Sequence, residues 1–318
     1  MTLSGSSIPS EQTLSIELIE SFRRSGRLFD VEGLDLYLIR GDQFPAVAEP
    51  VGRLRESTYR EQLSGSGESL DLDGRDQAYD HLLLVESSSG VLAGSARLQF
   101  LPAGSRGDDL PDGNSSYLEH VYPGIKGTLT DLGNHLEIGR VALASRFQRQ
   151  PHSLMALFRG GLLIAVRSGF STLHGLVSYN HFAYDDAVNQ VFLSNLMQPP
   201  YRQSEPVLPA PRHPVETIQA SESLSSIPNV QALEVGIRNE LCDDFRLPVL
   251  LRQYFNLMEA RVCGLSLAKD FNQITEILMS ADLSRLPDER LRFFIDVDHN
   301  PIYQQFSWYR GGSSNEQR

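Results

Sequence analysis

The sequence predicts a mixed α/β (α+β) fold, with one central sheet carrying helices on both faces. Three observations carry that prediction. Short apolar runs that alternate like strands are interleaved with helix-spaced segments in the order strand, helix, hairpin, strand, helix, strand, helix, helix, hairpin. The tight polar turn Ser87-Ser88-Ser89-Gly90 joins two apolar runs as a hairpin does. The succession is not a strict βαβ alternation, and neither G-x-G-x-x-G nor G-x-x-x-x-G-K-[ST] occurs, which disfavours the simple dinucleotide and P-loop folds.

In chain order, residues 17–27 read as a short amphipathic helix and 34–39 as an alternating strand. Residues 46–63 then take helical spacing, with Arg53, Arg55, Glu56 and Arg60 on the polar side. A Gly-, Ser- and Asp-rich loop spans 64–80, and the strands 82–85 and 91–101 form the hairpin. A short helix is expected near 117–121 and a strand at 136–144. A well-buried helix follows at 153–168, ended by Gly169. A strand at 171–178 and a helix at 185–197 precede a stretch, 198–226, that is rich in Pro and Ser and reads as an inserted loop. Helices at 229–241 and 247–258 and strands at 260–265 and 274–280 complete the pattern. The expected organisation is an extension over 1–28, a single domain over 29–300 carrying the 198–226 insertion, and a polar tail over 301–318, disordered from Gly311.

Composition narrows function before any motif does. The 318 residues carry a net charge of −12, which repels phosphates and anionic headgroups. The expectation is no nucleic-acid partner and at most peripheral membrane association. The longest apolar stretch is interrupted by Arg159 and Arg167, short of the roughly 20 residues a membrane span needs. Residues 1–13 lack the basic and apolar regions of a secretory signal, and the expected location is cytoplasmic. Two cysteines are too few for a disulfide framework or a cysteine zinc site, and the eight histidines show neither H-x-x-x-H nor H-E-x-x-H spacing. No metal is expected. No G-x-S-x-G elbow appears either.

Charge stands where charge is costly in three places: Asp73 to His81 leading into an apolar strand, Arg97 inside the hairpin, and Glu137 with Arg140 in the central strand. Residues three apart on a regular strand face opposite ways, but Gly139 marks a bulge, which would turn Glu137 and Arg140 to one side. A glutamate beside an irregular strand is suited to taking a proton from an amine. Arg146 and Arg149 stand just ahead of a helix whose first N–H groups attract anions, a plausible cradle for a phosphate-bearing arm.

Taken in order, Asp73-x-x-Asp76-x-x-x-Asp80-His81-Leu82, Arg97-Leu98, Leu136-Glu137-Ile138-Gly139-Arg140, Arg149 with the helix Leu154 to Arg159, Leu247-Pro248-Val249-Leu250-Leu251-Arg252-x-Tyr254 and Asp270-Phe271-Asn272 resemble the ornithine-lipid type (hemolysin-like) N-acyltransferases of the GNAT superfamily. That branch is related to N-acyl amino acid synthases and acyl-homoserine lactone synthases. The resemblance runs from about residue 54 to 279. It implies a GNAT-like mixed, mostly antiparallel sheet with a splayed, bulged central strand. It also implies an enzyme that transfers a fatty, possibly 3-hydroxy, acyl chain from acyl carrier protein (or coenzyme A) to the α-amino group of an amino acid such as ornithine or glycine. The acyl thioester would be a co-substrate, with no tightly bound cofactor, and acyl carrier protein and the amino acid would be the partners.

By position, the resemblance implies Glu137 as general base with Arg140 orienting it. Arg55, Asp73, Asp76, Asp80, His81 and Arg97 would shape the acceptor and acyl pocket, and Arg146, Arg149, Ser153 and Arg159 would meet the carrier protein or its phosphopantetheine. The chain departs from the family at Arg75, Tyr79 and Gln150-Pro151, where an aromatic, a cysteine and a glycine pair are usual. Two alternatives stand beside this reading: an acyl-homoserine-lactone-like signal synthase, and a non-catalytic module that binds acyl carrier protein, which Gln150-Pro151 would suit.

Overall fold

The computed structural model describes residues 11–105, 116–203, 205–216, 227, 229–287 and 289–291. The 301–318 tail, the start of the extension and residues 204 and 217–226 of the Pro- and Ser-rich stretch lie outside them. The elements are α1 (Ile16–Ser25), β1 (Arg27–Val31), β2 (Leu34–Ile39), α2 (Ala48–Glu61), β3 (Asp80–Glu86), β4 (Leu92–Leu101), α3 (Tyr117–Val121), α4 (Ile125–Leu132), β5 (His135–Leu143), α5 (Ser145–Gln148), α6 (Pro151–Ser168), β6 (Thr172–Tyr179), α7 (Asp186–Leu196), α8 (Val230–Glu240), α9 (Val249–Met258), β7 (Arg261–Ala268) and β8 (Ile274–Asp282). The eight strands hydrogen-bond in the order β1-β2-β3-β4-β5-β6-β8-β7. The β1/β2, β2/β3, β6/β8 and β7/β8 pairs are antiparallel, and β5/β6 is parallel. This is the mixed, mostly antiparallel sheet the sequence predicts.

The chain forms two compact units, one of Met1–Arg97 with Arg140–Gly160, the other of Leu98–Gly139 with Gly161–Arg318. In the first, Phe22 of α1, Tyr37 and Ile39 of β2, Phe44 of the turn before α2, Val51 and Leu54 of α2, Leu83 and Val85 of β3 and Leu92 of β4 form one buried cluster. Each such side chain taken out of water stabilises by about 1.5–3 kcal/mol. In the second, Leu101, Tyr117, Leu118, Tyr122, Ile125 and Leu129 pack with Phe271, Ile274 and Leu278.

Three elements lack the periodic signal a sequence reading relies on. β1 is a five-residue edge strand with no buried side chain, so it shows no apolar alternation. α4 carries Gly127 and two threonines, poor helix formers, and its helix is set by burial of Ile125 and Leu129. α5 is a single turn. The buried helix begins at Pro151 rather than Ser153. Proline suits the first helical position, where its missing N–H costs nothing and its fixed φ already matches the helix.

Residues 201–203 and 213–214 of the Pro- and Ser-rich stretch run along sheet edge β7. Arg202 bridges Val262 in parallel, Pro214 bridges Ser266 antiparallel, and Val262 N donates to Tyr201 O at 2.9 Å. An edge strand covered in this way no longer offers a row of free backbone groups to another chain.

Candidate active site

In the second unit β5 opens His135-Leu136-Glu137, and Glu137 is 3% exposed. Its carboxylate receives two hydrogen bonds from the start of α3: Ser116 Oγ donates to Oε2 at 2.7 Å and Leu118 N donates to Oε1 at 3.2 Å. Ser116 is also the N-cap of α3, its Oγ accepting from Glu119 N at 3.0 Å. One hydroxyl therefore both caps the helix and orients the carboxylate. Lys126 of α4 is buried nearby. Burial lowers its pKa, and the charges of Glu119 and Glu137 oppose that shift.

Glu137 is the first member of a polar row across one face of the sheet. It stands opposite His174 of β6, His174 opposite Ser280 of β8, and Ser280 opposite Arg261 of β7. His135, two residues from Glu137 on the same strand, shares that face, and its Nδ1 lies 2.8 Å from His174 Nε2. The parallel β5/β6 register spans His135↔Thr172 to Ile138↔Gly175. Gly175 keeps this approach open, since a Cβ there would lie 2.6 Å from Tyr254 Oη and 3.1 Å from Ile138 O.

The backbone irregularity expected at Gly139 falls on Arg140, whose φ is +51°. A non-glycine residue held in the left-handed region costs about 1–3 kcal/mol and persists where its surroundings fix it. Within the first unit Arg140 is fixed by two carboxylates, Nε 3.1 Å from Asp71 Oδ2 and Nη2 3.4 Å from Asp73 Oδ2.

Those contacts join Arg140 to a buried charge cluster. Arg55 Nη1 and Arg97 Nη1 each donate to Asp76 Oδ1 at 2.9 Å, and Arg97 Nη1 also reaches Asp73 Oδ1 at 3.2 Å. Asp73 N donates to Asp76 Oδ2 at 3.0 Å. Burial works to raise the Asp76 pKa, but the guanidiniums of Arg55 and Arg97 outweigh it and hold the carboxyl well below the usual range. The same balance, with Arg97 and Arg140, lowers Asp73. Arg97 also lies over the Tyr79 ring, 4.3 Å from its centroid.

His81 closes the cluster from below. A guanidinium only donates, so the 3.3 Å contact from Arg55 Nη2 makes His81 Nδ1 the acceptor, and Nε2–H must donate to Asp76 O at 2.8 Å. Burial, reinforced by the Arg55 charge, pushes the His81 pKa down to about 3, and the ring stacks neutral on Phe44 at 4.0 Å.

The structure thus gathers Arg55, Asp73, Asp76, His81, Arg97 and Arg140, and it places Asp80 apart. Asp80 accepts from Gly41 N at 3.2 Å, and burial raises its pKa. Arg55 and Asp76 are spent on each other, with side chains 0% and 3% exposed, whereas Asp73 at 20% and Arg140 at 11% keep surface. Of the four residues expected at the donor, Arg146 pairs with Glu11 at 3.0 Å and Glu86 at 2.7 Å, and its guanidinium lies over Phe147. Ser153 is fully buried at the start of α6, and Arg159 lies over the Phe29 ring. Arg149 caps the C-terminus of α5 and is exposed, with no ion pair among the described residues.

The sequence reading missed Ser116, Lys126, His135 and His174. Ser116-Tyr117-Leu118-Glu119 carries the S-x-x-E spacing of a helix start and could have marked the cap. The histidines could have been placed only through the β5/β6 register.

Residues 54–158 match the family model described as acetyltransferase (GNAT) domain. No curated protein matches the chain. Similar solved structures include an apo form of TofI (12% identity, 84% of this chain and 98% of that one, TM-score 0.40). They also include FeeM, an N-acyl amino acid synthase from uncultured soil microbes (11%, 79% and 92%, 0.40). A third is BjaI, a CoA-dependent acyl-homoserine lactone synthase, with SAM and isopentyl-CoA (12%, 85% and 90%, 0.42). With the mixed sheet and the Glu137-to-Arg140 strand in place, the match over residues 54–158 identifies a GNAT acyltransferase domain in that part of the chain.

Proposed function

We propose that the enzyme transfers a fatty acyl group from the thioester of acyl carrier protein to the α-amino group of an amino acid, with Glu137 as the general base. The observation that carries this reading is the Glu137 carboxylate itself, buried and oriented by Ser116 Oγ and Leu118 N just ahead of the irregular backbone at Arg140. The amine nitrogen attacks the thioester carbonyl, the N–C bond forms and the C–S bond breaks. The amine proton passes to Glu137, directly or through one water, and the departing thiolate takes up a proton. Within the first unit Asp73 and Arg140 are cluster members that keep surface, the carboxylate suited to an ammonium and the guanidinium to a carboxylate.

The test is free-thiol release from long-chain acyl carrier protein, and in parallel from acyl-CoA, with a panel of amino acids and with S-adenosylmethionine as acceptors. Amino-acid-dependent release is expected. Release that needs S-adenosylmethionine would move the enzyme to lactone-type signal synthesis, and no release with any pair would sink the reading. Glu137→Gln is expected to lower the rate by about 10²–10⁴-fold, the range general-base catalysis contributes, with an unchanged unfolding midpoint.

A further inference from the structure

We propose that the second unit holds a separate ligand site, a cavity that binds a small molecule through a carboxylate or phosphate group. The cavity measures about 530 Å³ and is walled by the starts of β5 and β6, the end of β8, the start of β7 and Arg202, Gln203, Glu205 and Pro206. Glu137 is not among its lining residues, so the site does not rest on the acyl-transfer reading.

Two independent features point to an occupant. The first is His174, which lines the cavity and is 3% exposed. Its Nε2 is engaged by His135 Nδ1, while its own Nδ1 has no hydrogen-bond partner. A buried polar atom left without a partner is costly, and a ligand atom removes that cost. If His135 Nδ1–H donates to His174 Nε2, the neutral His174 ring carries its proton on Nδ1 and presents a donor. An oxyanion is the natural acceptor for it. Burial holds both rings neutral at ordinary pH, with the His135 pKa lowered to about 4 and that of His174 to about 3.

The second feature is charge. In a chain of net charge −12, Arg202, Arg261 and Arg285 line this one cavity, against Glu205 and Asp282. Asp282 is already engaged, 3.1 Å from Arg285 Nε and accepting from Ser284 N at 3.0 Å. Arg261 Nη1 donates to the carbonyls of Glu259 and Ala260, which aims the guanidinium without neutralising it. Arg202 is exposed and has no ion pair among the described residues. The balance favours an anion. Cys263 adds no charge, since burial pushes its thiol up to about 12. Among the described residues no three His, Cys, Asp or Glu side chains are arranged to hold a metal ion.

Titration calorimetry of the full chain with inorganic phosphate, and separately with acetate, at ionic strength matched with chloride, tests this directly. Saturable heat is expected from at least one probe, and the one that saturates tells a phosphate ligand from a carboxylate. Arg202→Ala, at an exposed position, is expected to weaken that binding at least about fivefold, on the order of one charge-assisted hydrogen bond. The bound probe should also shift the ring resonances of His174, identified by their loss in His174→Gln. No saturable heat from either probe overturns the proposal, as does binding of equal strength in wild type, Arg202→Ala and Arg261→Ala.

Discussion

The charge cluster turns on Asp76, which takes a hydrogen bond from both Arg55 and Arg97. Removing its charge takes the carboxylate partner from the Arg55 guanidinium, 0% exposed, and leaves that of Arg97, 1% exposed, with Asp73 at 3.2 Å. Breaking a buried pair costs about 3–5 kcal/mol, so Asp76→Asn is expected to lower the urea unfolding free energy by that order. A loss below about 1 kcal/mol, typical of an exposed pair, would mean that the arginines find other partners. The buried histidines make a separate prediction. His81, His135 and His174 have folded-state pKa values near 3, 4 and 3, below the usual 6.5. Between pH 6.5 and about 4 the unfolded chain therefore binds protons that the folded chain refuses. Stability is full above 6.5 and falls as pH drops through that window, by up to about 1.4 kcal/mol per pH unit for each histidine. Asp76, depressed in the folded state, adds its own loss only below the ordinary carboxylate range. Urea midpoints measured from pH 7 to 4.5 should decline, and His81→Gln should flatten the slope. A level profile in wild type would show that these rings are not held neutral.

At the scale of elements, the helix–strand junction at α3 and β5 deserves the most specific test, because one hydroxyl serves both. Ser116→Ala removes the N-cap of α3 and one donor to Glu137 together. The expected cost is about 1–2 kcal/mol of stability, with a fall in acyl transfer smaller than that of Glu137→Gln. Ser116→Thr keeps the hydroxyl and should restore both. The β6–α9 contact makes a matching steric prediction. Gly175→Ala drives a Cβ to 2.6 Å from Tyr254 Oη, an overpacking worth about 1–3 kcal/mol. Tyr254→Phe, which removes that oxygen, should recover part of the loss in a double-mutant cycle. These junctions also show where sequence reading stops. β2, β3, β6 and β8 were legible because each carries a run of apolar residues flanked by turn signals, and α2 and α7 because their spacing is regular. β1 and α5 are too short and exposed to carry a period. The residues of the charge cluster could be named one by one as charges in costly places. That Arg55 of α2 meets Asp76 across 21 positions follows from how the loop packs on the helix, and that His135 meets His174 across 39 follows from strand register, neither of which a local pattern encodes.

For the molecule as a whole, the decisive quantity is net charge. On the proposed reading, an enzyme of net charge −12 repels an acidic carrier protein at long range, so encounter depends on cations that remain uncommitted. Arg146, expected at the donor, is held by Glu11 and Glu86, and Arg159 lies against Phe29. Arg149 is exposed on the turn before Pro151 opens α6, where the helix dipole adds to its charge. On the proposed reading Arg149 is therefore the steering residue. Arg149→Glu should raise the KM for acyl carrier protein at least about tenfold, roughly 1.4 kcal/mol of transition-state binding, while leaving kcat unchanged. The wild-type KM should also climb as salt shortens the Debye length from about 10 Å towards 3 Å, and the variant should lose that dependence. A KM indifferent to both the substitution and salt would place carrier recognition on another surface, while leaving the assignment of Glu137 as the base intact.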